Sequence, residues 1–191
     1  MDTPRYIVYG VATNDAGYPV HSRDPRRRCP YFSVWTNMLS RCYGAAYQAR
    51  QPTYKGCTVC ATWLRFSAFK TWMEGQVWSG KQLDKDLLVL GNKQYSPETC
   101  VFVDRRVNAF LTTRTAACGT MPLGVNWDKK ALKARARCSN PFTRKLEHLG
   151  FFDTADEAHE AWRTRKHELA CHYADIQDDP RVASALRTRY L

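Results

Sequence analysis

The chain is poor in histidine, has no long apolar run and opens on residues from which no export is expected, and each shortage argues against a class of function. Only five histidines occur, at His21, His148, His159, His167 and His172, so chemistry that rests on a histidine base has few places to sit. The longest aliphatic run, Leu87 to Leu90, is far short of the roughly 20 residues that span a bilayer. The opening MDTPRYIVYG lacks a basic segment followed by an apolar core. A cytoplasmic protein without a membrane partner is expected. No internal repeat and no long low-complexity segment is present, which excludes repeat architectures, and no motif points to a small-molecule substrate.

Acids are also scarce beside bases. The 191 residues carry 29 Lys or Arg against 18 Asp or Glu, a net charge of +11. The excess is spread along the chain: residues 1–111 hold 15 basic and 8 acidic side chains, residues 112–191 hold 14 and 10. Both halves therefore suit a polyanionic partner. With 44% hydrophobic residues the chain can bury one large core or two small ones, and two modules are expected. The divisions expected are a module over 1–111, a linker over 112–121 in the small, polar TTRTAACGT stretch, a second module over 122–173, and a tail over 174–191.

Residues 122–173 are the most informative. Lys133, Ala134, Arg135, Ala136, Arg137 and Cys138 alternate strictly. A strand here sends Leu132, Ala134, Ala136 and Cys138 to one face and three cations to the other. Between Lys129 and Lys145 there are seven Lys or Arg and no acid. Such a face suits the major groove of DNA, with cations on phosphates or on the acceptor edge of guanine; the alternative is a solvated edge strand. Asn126 and Trp127 bring an amide and an aromatic from the preceding strand, and Arg144 and Lys145 add cations at the next turn. A helix then starts at Thr154, with Glu157 three residues on as a capping box. Its apolar stripe is Ala155, Ala158, Ala161, Trp162, Leu169 and Tyr173, with Trp162 read as core.

In the first module, Tyr31, Val34, Trp35, Met38 and Cys42 follow helical spacing, as do Trp63, Phe66, Phe69, Trp72 and Met73. TYKGCTVC reads as a short strand. LDKDLLVLG and TCVFV read as two strands, and DRRVNAFL as a short helix. On a strand Asp84 and Asp86 share one side, where Mg²⁺ or Mn²⁺ has hard oxygen ligands; the alternative is pairing with Lys81, Lys85 or Arg105. Cys57 and Cys60 form one C-x-x-C pair, and a structural zinc needs two more ligands, for which Cys29, Cys42 and Cys100 are available. Buried free thiols are the other reading of the eight cysteines.

Two resemblances follow from these residues. G-V-x-W at Gly124 to Trp127, the basic strand, L-G-x-F at Leu149 to Phe152 and T-x-x-E-A at Thr154 to Ala158 resemble the Apetala/ethylene-response-factor DNA-binding domain. The resemblance implies a three-stranded antiparallel sheet in the major groove, backed by a helix, with Trp127, Lys133, Arg135 and Arg137 on the matching strands. The stretch Leu83 to Leu111 resembles the strand–turn–strand–helix finger of phage HNH-type homing endonucleases. W-x-x-M-L-x-R-C-Y at Trp35 to Tyr43, YKG at Tyr54 to Gly56 and the aromatic run Trp63 to Trp72 resemble proteins of the same group. Asp84, Lys85, Asp86 and Asn108 stand where that resemblance implies catalytic residues, with a divalent metal. No histidine lies in the stretch. Lys85 takes that place, a poor base but a good phosphate contact.

The expected fold is thus α+β: a helical module with a degenerate HNH-like ββα finger, then a three-stranded antiparallel sheet packed on one helix. Double-stranded DNA is the expected partner, with or without metal-dependent nicking. The alternative is an inactive nuclease scaffold that regulates DNA or inhibits a host protein.

Overall fold

The computed structural model describes residues 5–112 and 121–191. The fold is α+β, with six α-helices and nine strands among the described residues. The chain forms two compact units, Met1–Val103 and Asp104–Leu191. The expected linker falls almost wholly on residues 113–120, outside the described part. The break between units comes earlier, before the short helix that the sequence assigned to the first module.

The first unit is built on aromatic burial. A hairpin of β1 (Tyr6–Val8) and β2 (Ala12–Asn14) precedes α1 (Pro30–Tyr43), which opens on a proline whose missing N–H costs nothing there. Helix α1 buries Phe32, Trp35, Met38, Leu39 and Cys42. After α2 (Ala45–Arg50) and β3 (Thr58–Val59), a single 3₁₀ turn and α3 (Phe66–Glu74) bring in Trp63, Phe66, Phe69 and Met73. The Trp35 indole N–H donates to the Trp63 carbonyl at 2.7 Å, so the largest core ring also satisfies a buried polar group. Asp15 caps α3 from a distance, accepting from the Ser67 N–H at 2.9 Å. The strands β4 (Lys81–Asp84) and β6 (Val101–Asp104) pair, while β5 (Gln94–Tyr95) lies parallel to β3.

The second unit opens with α4 (Arg105–Leu111), capped by Asp104, whose carboxylate accepts from the Arg106 N–H at 2.7 Å. Its sheet is β7 (Val125–Asp128), β8 (Lys133–Asn140) and β9 (Lys145–Phe152), antiparallel in that order. Helix α5 (Ala155–Asp175) packs on one face of it and carries the complete capping box between Thr154 and Glu157. The residues expected to form a tail instead complete α5 and form α6 (Pro180–Thr188), started by the Asp179 cap and buried through Val182, Ala183 and Leu186. The signal for it, Asp-Pro before an apolar i, i+1, i+4 set, was present in the sequence.

Side-chain phase in this sheet is fixed by burial. Ala134, Ala136 and Cys138 are inaccessible and meet α5, because small residues let a helix approach a strand closely. Leu132 does not join them: it sits in the turn before β8 at φ 53°, 71% exposed. On β9 the register slips between Ala136 and Arg137: Ala136 pairs with Gly150, Arg137 with His148, and Leu149 is the extra residue of a bulge. Gly150, at φ 140°, provides the backbone freedom. Gly124 has a second role. A Cβ there would lie 2.0 Å from the Trp162 ring, so the glycine is what lets the indole close over β7.

Candidate nucleic-acid interface

The face of the sheet opposite α5 collects a defined set. Register places Asn126 and Asp128 of β7, Lys133, Arg135 and Arg137 of β8, and His148 and Phe151 of β9 together. The bulge is why His148 is in this set: if Leu149 paired with Arg137 instead of being skipped, Glu147 would point outward and His148 inward. Glu147 instead turns toward α5, accepting from Arg165 at 2.7 Å and from the Asn140 amide at 2.7 Å. Those hydrogen bonds, Arg165 first, hold its carboxyl down at about 2. An acid is thereby withdrawn from the cationic face and used to fasten the helix.

The three cations differ in how they are held. Lys133 pairs with Asp153 at 2.9 Å, with both side chains largely exposed. Arg135 pairs with Asp128 at 3.1 Å and is more enclosed, with its Nε buried and without an acceptor. Asp128 also accepts from the Lys130 and Ala131 N–H groups at 3.0 Å, and the Ala131 bond is the chief cause of its lowered pKa. Arg137 makes no ion pair among the described residues. A guanidinium with unused donors beside flat rings matches phosphate and base-edge recognition.

Other expected contacts fall elsewhere. Trp127 pairs with Ala134, which puts it in the row facing α5 rather than beside Asn126 and Arg135, although it remains 46% exposed at the sheet edge. Alternate residues of a strand cannot share a face, and Asn126 and Trp127 are adjacent. Lys145 pairs with Asn140, again in the helix-side row, and Arg144 is exposed in the β8–β9 turn at φ 57°. The outward row also holds Leu146, which pairs with Ser139 and is exposed; the alternation of β8 gave no sign of it.

The residues expected to be catalytic lie in a different setting. Strand β4 ends at Asp84 because that side chain folds back: its Oδ1 accepts from the Asp86 N–H at 3.0 Å and the Leu87 N–H at 2.7 Å. Asp84 and Asp86 therefore do not share a strand face. Burial, then the neighbouring Asp86, raises the Asp84 pKa and favours its neutral form. Lys85, far from reaching outward to a phosphate, is 6% exposed. Its Nζ donates to the Asn92 carbonyl at 2.7 Å and to Asp86 at 3.1 Å, while Asn92 returns a bond to the Lys85 carbonyl at 2.7 Å. Nearby, Arg41 contacts the Tyr95 hydroxyl at 3.4 Å and lies over the Tyr54 ring. Burial alone would lower its pKa, yet Tyr95 and Tyr54 hold it above the ordinary value.

This network does not fit a divalent metal. One Asp84 oxygen is committed to two backbone donors, and an ammonium sits against Asp86, where it would repel a second cation. No group of three or more His, Cys, Asp or Glu side chains among the described residues is arranged to hold a metal ion. Asn108, the expected helix-borne member, belongs to α4 in the second unit. Cys57 is buried and Cys60 half-buried, both as free thiols. Comparison with known protein families, curated proteins and solved structures finds no match to this chain.

Among the described residues, no helix is long and apolar enough to cross a membrane.

Proposed function

We propose that the protein binds double-stranded DNA through the outer face of the β7–β8–β9 sheet and does so without cutting it. The observation that carries this reading is the phase of β8: Ala134, Ala136 and Cys138 are sealed against α5, which leaves Lys133, Arg135 and Arg137 in one outward row. Strand spacing sets these cations about 6.6 Å apart, the repeat of every second residue, close to the spacing of phosphates along one DNA strand. His148, Phe151 and Asn126 flank the row with groups suited to sugars and base edges. The resemblance to the Apetala/ethylene-response-factor domain and to phage HNH-type homing endonucleases supports the same partner. The commitment of Asp84, Lys85 and Asp86 to one another and to backbone favours a nuclease scaffold kept for binding over a nicking enzyme.

The test is duplex binding by the Arg135→Ala/Arg137→Ala double variant across a salt series. Affinity falls at least about tenfold, and the log-log salt slope drops by about 0.9 for each phosphate contact removed. Unchanged affinity rejects the reading. A plasmid assay with Mg²⁺ or Mn²⁺ tests the second part: nicking that is lost in Asp84→Ala would restore the enzyme.

Leu146 and Phe151 favour one further reading, because both are exposed on the same face and would suit a protein partner. In that case the same arginine substitutions leave DNA affinity unchanged.

A further inference from the structure

The second unit holds a cavity of about 600 Å³, within the roughly 300–1,000 Å³ range of small-ligand sites. Strand β7 pairs with β8 only as far as Ala136, and the cavity is walled by β8 residues beyond that point, by α4 and by α5. Four cations line it, Arg106, Arg137, Arg144 and Lys166, with no carboxylate among the described lining residues. Phe110, Trp162 and Tyr173 supply an apolar wall. Four positive groups around a concave, partly apolar space concentrate a field that attracts an anion.

Lys166 is the most telling of them. Its Nζ donates to the Phe110 carbonyl at 2.8 Å and lies 3.5 Å from the centre of the Phe110 ring. Burial lowers its pKa to about 8. The carbonyl uses one of three ammonium donors, and a desolvated cation without a counter-charge is costly to keep. A dianion entering the cavity would relieve that cost. The arginines add forked donors that match phosphate oxygens two at a time.

We propose that this cavity binds a phosphate monoester attached to a flat apolar ring. A free mononucleotide and the 5′-phosphorylated end of a nucleic-acid strand both have this chemistry. The site departs from the sequence-based expectation of no small-molecule ligand. Arg137 belongs both to this lining and to the outward row of β8, so the proposal is tested through Arg106 and Lys166, which are no part of that row and whose variants separate it from duplex binding.

The full-length protein is titrated by calorimetry with inorganic phosphate, with thymidine 5′-monophosphate, and with a short single strand bearing either a 5′-phosphate or a 5′-hydroxyl. At least one ring-bearing phosphate binds about tenfold tighter than inorganic phosphate, and Lys166→Met and Arg106→Gln each weaken it about tenfold. Duplex affinity stays within about twofold in both variants. Arg106 is exposed, so its variant reports binding without disturbing the core, and a thermal melt of Lys166→Met checks that its loss of binding is not loss of the fold. A preference for the phosphorylated strand over the hydroxyl strand assigns the strand end; mononucleotide binding without that preference assigns the free nucleotide. Binding no tighter than inorganic phosphate, or full affinity in both variants, overturns the proposal.

Discussion

In the first unit the ionic groups around Asp84, Lys85 and Asp86 spend their hydrogen bonds on one another and on nearby backbone. In the second, the cations of β8 lie on the outer face: Lys133 and Arg135 keep ion pairs with Asp153 and Asp128 there, Arg137 has none among the described residues, and a further acid, Glu147, is turned inward to Arg165. The two regions are similar in composition, each mixing Asp or Glu with Lys or Arg. What separates them is whether the partners are internal. A charge already satisfied inside the fold has little left to offer a ligand, whereas one held in place but unsatisfied is available to bind.

This contrast can be broken by experiment. The largest effect is expected from Asp84→Ala, which strands two part-buried N–H donors and costs roughly 1–3 kcal/mol of unfolding free energy in urea titrations, while duplex affinity stays within about twofold. The reverse profile is expected from the Arg135→Ala/Arg137→Ala double variant: about 1.4 kcal/mol of lost binding for a tenfold change and an unchanged melting temperature. A variant set in which both lose stability equally would erase the distinction between the units.

Finer predictions concern partners on the sheet itself. Asp128→Asn keeps the acceptor for Lys130 and Ala131 but releases Arg135 from its 3.1 Å ion pair. Duplex binding at low salt should tighten about threefold, a gain that screening removes at high salt. The smallest effect is on pH dependence. Glu147 has its pKa lowered from 4.5 to about 2, so its stabilisation is complete above pH 4.5 and is lost as pH falls toward 2. The stability gap between wild type and Glu147→Gln, measured by thermal melts, narrows over that interval and is constant above it. DNA affinity near neutral pH is unaffected.

Much of the second unit could be read in the sequence because its signals are local and redundant. The capping box of α5 and the strict alternation of β8 each depend on residues within one or two turns or strands. Phase across strands was harder. Trp127 was grouped with Asn126 and the arginines on residue type, but its pairing with Ala134 sends it the other way. His148 was missed because one bulge residue inverts the pattern that precedes it. In the first unit LDKDLLVLG looked like one continuous strand; the side chain of Asp84 ends it by capping the next two N–H groups, a competition between side chain and ladder that composition does not reveal. Helix α4 was assigned to the unit before it, since neither its sequence nor its cap says which core Phe110 enters.

The slip at Leu149 sets the direction of every side chain between Lys145 and His148: pairing Leu149 itself with Arg137 would turn the whole segment over, presenting Glu147 to an incoming polyanion and pushing His148 against α5. Where that one slip falls, more than the identity of the residues beyond it, therefore decides which groups the strand offers to solvent.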